Sequence, residues 1–114
     1  MHTIVETPAF QRNAKKAGVK ESELNFIKTF LAYNPTIGSL IPGTGGARKV
    51  RFPAQGKGKS GGYRVITFYS GTDIPLFILD IYSKGEKINL TQQEKNILKQ
   101  LLAKLVDLYR TDDP

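Results

Sequence analysis

Two almost uninterrupted runs of apolar and β-branched residues constrain most strongly how this chain can fold. They extend from Tyr63 to Tyr69 and from Leu76 to Tyr82, and the polar segment Ser70–Asp73 separates them. Runs of this kind, divided by a short polar segment, are typical of two β-strands joined by a hairpin turn. Because neither strand shows a polar face, we expect both to lie in the centre of a sheet that is covered on both sides.

Three segments with helical signals are available to cover such a sheet. The first extends from Thr7 to about Ala17, with Thr-Pro at its start and a glycine after its end, a pattern typical of a capped helix. The second covers Glu21–Tyr33 and ends before Asn-Pro. The third opens at Thr91, which forms a Thr-x-x-Glu capping box with Glu94.

The last helix also carries an apolar stripe along one face. We expect this stripe to pack on the sheet, although a share of it could instead face a protein partner. Its members are Ile97, Leu98, Leu101, Leu102, Leu105, Leu108 and Tyr109.

Two further strands complete the predicted fold, at Thr3–Glu6 and at Ala47–Phe52. The segments Thr36–Gly46 and Pro53–Gly62 are rich in glycine and proline and are predicted as loops, the second of them mobile. The resulting order β-α-α-β-β-β-α predicts an α+β fold with a small antiparallel sheet, two N-terminal helices and one C-terminal helix. At this length, residues 1–114 are expected to form a single domain.

The positive charge is concentrated in the central part of the chain. The net charge is +7, and no acidic residue occurs between Leu24 and Thr72. Basic and acidic residues balance elsewhere, so the excess comes from seven residues: Lys28, Arg48, Lys49, Arg51, Lys57, Lys59 and Arg64. A field focused in this way attracts a polyanion. The alternative is a basic face that is merely solvated.

The residue types exclude several kinds of chemistry. The chain has no cysteine, which excludes disulfides, a thiolate nucleophile and a cysteine-based zinc site. The only histidine is His2, beside an N-terminus that we expect to be mobile, so a two-histidine ribonuclease mechanism is impossible. The acidic residues Glu6, Asp73, Asp80 and Glu86 form no obvious metal cluster. We therefore predict no metal and no cofactor.

No segment approaches the roughly 18 apolar residues that span a bilayer, and residues 1–5 are too short and mixed for a signal peptide. We expect a soluble protein that is not exported.

Gly58-Lys59-Ser60 matches the end of a P-loop. However, Pro53 stands where the leading glycine belongs, and a strand follows the loop where the motif requires a helix. A nucleotide-binding P-loop is therefore disfavoured.

The strand Ala47–Phe52 carries the sharpest functional signal. Since side chains alternate along a strand, Val50 and Phe52 can meet the core while Lys49 and Arg51 share the opposite face, about 7 Å apart. Neighbouring cations repel each other unless an anion lies between them, and a phosphate fits such a position.

Arg64 opens the next strand and Lys84 follows the last one, so both can reach the same place. The alternative is that these are solvated strand residues.

RNA is cleaved when its 2′-hydroxyl attacks the adjacent phosphate, which requires alignment, charge stabilisation and proton transfer. Arginine stabilises the charge, and a lysine can act as base when neighbouring cations lower its pKa. Tyr63, Tyr69 and Tyr82 can stack on bases, and Tyr82 can also transfer a proton.

Several motifs resemble those of one known family. They are Asn34-Pro35, Gly38, the run from Pro42 to Arg51 that reads Pro-Gly-Thr-Gly-Gly-Ala-Arg-Lys-Val-Arg, Gly56–Ile66, Ile81–Lys87 and Leu90-Thr91. Together they resemble the RelE/HigB-like toxins of type II toxin–antitoxin systems. The likeness is greatest to the HigB-type branch, which has a loop rich in glycine and lysine between two strands. It covers nearly the whole chain.

This resemblance implies a microbial-ribonuclease-like fold and a metal-independent endoribonuclease, an mRNA interferase of the bacterial cytoplasm. The enzyme would cut mRNA in the ribosomal decoding site, inhibit translation and be neutralised by a cognate antitoxin of the helix-turn-helix, HigA-like type. The implied catalytic residues are Lys49, Arg51, Arg64, Lys84 and, less directly, Tyr82, because the catalytic tyrosine of some members has no match near Leu90. Apart from the resemblance, charge and aromatic character suggest RNA or ribosome binding by Arg48, Lys57, Lys59, Tyr63 and Lys87, although the loop with Lys57 and Lys59 could equally be a disordered connection.

Two other interpretations stay open at this point. The same charges would serve a non-catalytic basic domain that binds RNA or the ribosome without cutting. The chain could also be a member of the toxin family that acts on another target or has lost its activity.

Overall fold

The computed structural model describes residues 2–54, 62–86 and 89–110. The strands form one five-stranded sheet in the order β1-β5-β4-β3-β2. Helices α1 and α2 pack on one face and α3 on the other, which confirms the α+β prediction with its two N-terminal helices and one C-terminal helix. The elements are β1 (Ile4–Glu6), α1 (Pro8–Lys16), α2 (Glu21–Tyr33), β2 (Ser39–Leu40), β3 (Ala47–Phe52), β4 (Tyr63–Phe68), β5 (Leu76–Ser83) and α3 (Gln92–Arg110).

The helix ends follow the predicted capping signals. The Thr7 side chain accepts a hydrogen bond from the Phe10 backbone N–H, and Pro8 takes the first helical position of α1. At α3 the capping box is complete, because Thr91 Oγ1 accepts from Glu94 N at 3.1 Å and Glu94 Oε1 accepts from Thr91 N at 2.9 Å. A cap of this kind contributes about 1 kcal/mol to helix stability. The start of α3 is therefore fixed by its own sequence.

The central strands are buried on both faces, as the two apolar runs predict. On the face covered by α1 and α2, Val65 of β4 and Ile81 of β5 pack against Phe10 and Ile27. On the α3 side, further strand residues form a second cluster around Leu102, which is 1% exposed. The members of this second cluster are Ala47, Ile66, Phe68, Ile74, Phe77, Tyr82 and Leu102. Alternate residues of the same strands thus supply two separate cores.

Two features of the sheet differ from the predicted one. β1 pairs with β5 in parallel, with Ile4 opposite Leu76, so the sheet is only mostly antiparallel. The hairpins of β3, β4 and β5 leave one edge of β5 open, and β1 occupies it. The second difference is β2, which lies in the predicted loop and pairs with β3. Both residues of β2 are exposed, so no buried face marked the strand in the sequence.

The N-terminal segment is held in place rather than loose. The His2 backbone N–H donates to the carbonyl of Ala32 at 2.9 Å, and its Nε2 lies 2.7 Å from the carbonyl oxygen of Ile74. The imidazole also packs edge-on against Tyr69. His2 therefore fixes β1 to the rest of the fold.

Only half of the apolar stripe on α3 packs against the sheet. Leu102 is buried, and Leu98 and Leu105 are partly buried against the second core. By contrast, Leu101 is 50% and Leu108 64% exposed. The expectation that the stripe packs on the sheet is correct for one half of it, and the other half faces outward. None of the helices in the described ranges is both long and apolar enough to cross a membrane.

Candidate active site

A row of three side chains crosses the centre of the sheet on the face that α3 partly covers. Antiparallel pairing sets Arg51 of β3 directly opposite Arg64 of β4, and Arg64 directly opposite Tyr82 of β5. Directly opposed residues have Cβ atoms about 4.5–5.5 Å apart. Arg51 is exposed, Arg64 half-buried and Tyr82 buried, so the row passes from solvent into the protein. We call these three residues the cationic row.

A second row lies beside it on the same face. Lys49 is opposite Ile66, and Ile66 is opposite Asp80. Because Lys49 and Arg51 are two residues apart on one strand, their side chains leave the sheet on the same side, as the alternation of the sequence predicts. Lys49 is exposed. The structure therefore brings Lys49, Arg51 and Arg64 together on one face.

The two arginines of the row form an unfavourable pair in the absence of an anion. Within residues 2–54, 62–86 and 89–110, neither guanidinium forms a hydrogen bond or ion pair with another side chain. Like charges directly opposite each other in a sheet destabilise it. A phosphate between the guanidiniums would replace this repulsion with bidentate hydrogen bonds. The arrangement thus has the properties of an anion-binding site.

Tyr82 differs from the other members of the row in its burial. Burial raises the pKa of the Tyr82 phenol and Asp80 raises it further, against an opposing effect of the Arg64 charge. A phenol with its ordinary pKa near 10 is already protonated at neutral pH, and the raised pKa does not change this state. In this state it can donate a proton but cannot accept one, which fits a general acid.

The run Pro-Gly-Thr-Gly-Gly before β3 positions this site. The Thr44 hydroxyl donates to the carbonyl of Ile41 at 2.7 Å and accepts from Ala47 N at 3.1 Å. Gly46 has φ +123°, and a Cβ built there would lie 3.2 Å from the ring of Phe68. The run therefore closes the turn between β2 and β3 and seats the start of β3 on the second core. Its role is structural, which the sequence motif did not reveal.

The remaining catalytic candidate, Lys84, lies one residue beyond β5. Its backbone N–H donates to the carbonyl of Gly62 at 2.8 Å, which continues the β4–β5 pairing past the end of the strands. This places Lys84 at the end of the sheet nearest Arg64 rather than in the row itself.

The candidates for RNA binding are dispersed. Arg48 leaves β3 on the face opposite Lys49 and donates from Nη1 to the carbonyl of Gly38 at 3.2 Å. Tyr63 is 6% exposed, and its hydroxyl lies 3.3 Å from Glu23 Oε1 on the α2 side. Contrary to expectation, the Tyr63 ring is therefore inaccessible for stacking on a base. Three further candidates, Lys57, Lys59 and Lys87, lie outside the described residues.

A cavity of about 490 Å³ adjoins the cationic row. It lies between the sheet and the first turns of α3, and Lys49 and Tyr82 belong to its wall. Asp80 also lines it. The sequence carried one signal for this residue, since Asp80 is the only charged side chain within β5, but its place beside the row depends on the pairing of the strands.

The fold and the site together define a small basic α+β domain in which two arginines lie directly opposite each other at the centre of the sheet. Residues 2–112 match the model of the RelE toxin family, described as the RelE toxin of the RelE/RelB toxin–antitoxin system. The chain therefore belongs to the RelE toxin family. Toxins of this family pair with an antitoxin, act on ribosomes and are generally endoribonucleases.

Proposed function

We propose that this protein is a metal-independent endoribonuclease of the HigB-type branch that cuts mRNA on the ribosome. The observation that carries the proposal is the direct pairing of Arg51 with Arg64, next to Tyr82 and Lys49. The cationic row offers two permanent cations and a protonated phenol, and the neighbouring Lys49 adds an amine, around the place where a phosphate would lie.

The chemistry follows from these groups. The 2′-hydroxyl of the RNA attacks the adjacent phosphorus, the bond to the 5′-oxygen breaks, and the products are a 2′,3′-cyclic phosphate and a 5′-hydroxyl end. Arg51 and Arg64 stabilise the charge that develops on the phosphate oxygens. The neutral amine form of Lys49 or Lys84 takes the proton of the attacking hydroxyl, and the Tyr82 phenol, which is protonated at neutral pH, donates its proton to the leaving oxygen.

The test measures mRNA cleavage in a translating extract to which the purified protein is added. Arg64→Ala is expected to abolish cleavage, whereas Arg12→Ala is expected to leave it unchanged. Arg12 is a matched control because it is an exposed arginine on α1, which packs on the opposite face of the sheet. Equal cleavage by wild type and Arg64→Ala would overturn the site assignment.

A second variant addresses the proton donor. Tyr82→Phe keeps the ring in the core and removes the hydroxyl, so it should lower the cleavage rate about 10²-fold or more while ribosome binding persists. If the wild-type protein binds ribosomes and the mRNA stays intact, the protein is instead a non-catalytic binding domain.

We further propose a helix-turn-helix antitoxin of the HigA-like type as the partner, and the bacterial cytoplasm as the place of action. Membership of the RelE toxin family supports an antitoxin partner and action on ribosomes, and the helix-turn-helix type is proposed from the resemblance to the HigB-type branch. The partner is tested by co-expressing the chain with the protein encoded by the adjacent small reading frame. Growth should be restored and a stable complex should be isolated, and a neighbour without a helix-turn-helix motif would contradict the partner type.

A further inference from the structure

The side chains that line the cavity beside the cationic row are suited to bind a part of the RNA other than the phosphate. At about 490 Å³ it falls within the usual size of small-ligand pockets. Five kinds of side chain line it: aliphatic groups, two carboxylates, two amines, one amide and one phenol. The lining residues are Ile41, Lys49, Ile66, Leu79, Asp80, Tyr82, Asn89, Leu90, Glu94, Lys95 and Leu98.

The carboxylates of this cavity are held in fixed positions by the fold. Asp80 Oδ1 accepts from Asn13 Nδ2 at 2.7 Å and from Ile81 N at 2.8 Å. Among the described residues, every hydrogen bond of Asp80 reaches Oδ1, so Oδ2 remains able to accept. Glu94 accepts from Thr91 N, and this hydrogen bond lowers the pKa of the Glu94 carboxyl. The cavity therefore presents oriented acceptors near aliphatic walls.

The lining of the cavity is suited to a nucleobase and not to a phosphate. Carboxylates repel a phosphate, which belongs on the arginines of the cationic row. A nucleobase is planar and largely apolar on its faces, and its edge can carry N–H donors for a carboxylate. Lys49 and Lys95 line the same cavity, and they disfavour a cationic peptide side chain there.

We propose that the cavity binds the nucleobase next to the cleaved phosphate and selects bases that carry an exocyclic amino group. Adenine, cytosine and guanine can donate through this group to Asp80 or Glu94. The N–H of uracil lies between two carbonyl oxygens, which repel a carboxylate. The proposal rests on the proposed function, since it assumes that the phosphate of the same nucleotide lies on the cationic row.

The test titrates the full chain with nucleoside 3′-monophosphates and follows two sets of NMR signals. Methyl signals of Leu79 and Leu98 report on the cavity, and guanidinium N–H signals of Arg51 and Arg64 report on the row. The matched probes are guanosine and inosine 3′-monophosphate, which differ only in the exocyclic amino group. Guanosine should bind at least about fivefold more tightly than inosine, and uridine should bind more weakly than adenosine, cytidine or guanosine.

Asp80→Asn serves as the variant, because the amide keeps an oxygen for Asn13 and Ile81. It should reduce the preference for guanosine over inosine while the arginine signals still respond. Ribose 5-phosphate, which lacks a base, should shift the arginine signals alone.

The outcomes separate the two proposals. If every phosphate compound shifts the arginine signals and none shifts the cavity methyls, the base site is refuted and the phosphate site stands. If no compound shifts the arginine signals, the phosphate site itself fails. If N-acetylarginine amide shifts the cavity methyls more than the nucleotides do, the cavity binds a cationic partner and the base site is wrong.

Discussion

Replacing Arg64 with glutamine should make the folded protein more stable while it removes phosphate binding. Arg64 lies directly opposite Arg51 in the β3–β4 pairing, and no carboxylate among the described residues forms an ion pair with either arginine. Glutamine retains part of the aliphatic stem and removes the charge. The repulsion within the pair then disappears, and the unfolded state, in which the two residues are far apart on average, is little affected.

The size of the effect follows from the geometry. Directly opposed side-chain pairs in antiparallel sheets contribute roughly 0.2–1 kcal/mol. Two charges about 6 Å apart in water interact with roughly 0.7 kcal/mol, and water is the appropriate medium because Arg51 is exposed. We therefore expect Arg64→Gln to raise the free energy of unfolding by about 0.5 kcal/mol, which is about 2 °C in Tm.

The assay is urea denaturation of wild type and variant at about 0.01 M and about 1 M salt, where the Debye length is about 30 Å and 3 Å. The gain should be present at low salt and absent at high salt. Arg12→Gln, which removes an exposed arginine from α1, should show no comparable gain. The reasoning fails if Arg64→Gln is less stable than wild type at low salt, or if its gain is the same at both salt concentrations.

Three further predictions concern positions outside the row. Tyr63→Phe should cost about 1 kcal/mol of stability, because it removes the hydrogen bond to a buried carboxylate. It should leave mRNA cleavage intact, and a loss of cleavage at unchanged stability would restore the RNA-binding role. Gly38→Ala should cost roughly 2–4 kcal/mol, because φ is +97° and the new Cβ would lie 2.6 Å from a β3 carbonyl oxygen. In Gly18→Ala, where φ is +70° and the space is open, only the backbone strain of about 1–2 kcal/mol should appear in urea denaturation. Asp73→Asn should lower Tm at neutral pH, since the hydrogen bond from Arg110 holds the pKa of Asp73 below its ordinary value. A lowered carboxylate pKa stabilises the fold above the unfolded pKa, and this contribution is lost as the pH falls through the folded pKa. The difference in Tm between wild type and Asp73→Asn should therefore vanish in acid, and a difference that persists there would contradict the assignment.

The local elements were predictable because their signals lie within a few residues of one another. The α2 bounds Glu21–Tyr33 and the β3 bounds Ala47–Phe52 agree with the prediction. Strand alternation alone indicated that Lys49 and Arg51 share a face, and two core clusters follow from the unbroken apolar runs of β4 and β5. Each of these features depends on periodicity or capping, which the sequence displays directly.

Alternation could not decide which face of β4 carries which residue, because both faces are apolar. Tyr63 was predicted to bind RNA, but it points toward α2, where its hydroxyl meets Glu23. The parallel pairing of β1 with β5 was also beyond the sequence, because it joins segments about 70 residues apart. The sequences of β1 and β5 do not indicate whether the two strands pair in parallel or antiparallel. The edge of β5 to which β1 pairs is formed only when β3, β4 and β5 have assembled into hairpins.

The almost unbroken apolar character of residues 63–69 and 76–82 determined by itself that these segments form central strands covered on both faces. The sequence also determined the concentration of positive charge and the shared face of Lys49 and Arg51. The tertiary structure alone decided that Arg51, Arg64 and Tyr82 stand in one row, and that a cavity with Asp80 in its wall opens beside it. The physical reason is that strand register is set jointly by the turns, the β-bulge between Ile66 and Thr67 and the packing of α3. These interactions join segments that are distant in the sequence, so the sequence of one segment alone cannot indicate the register.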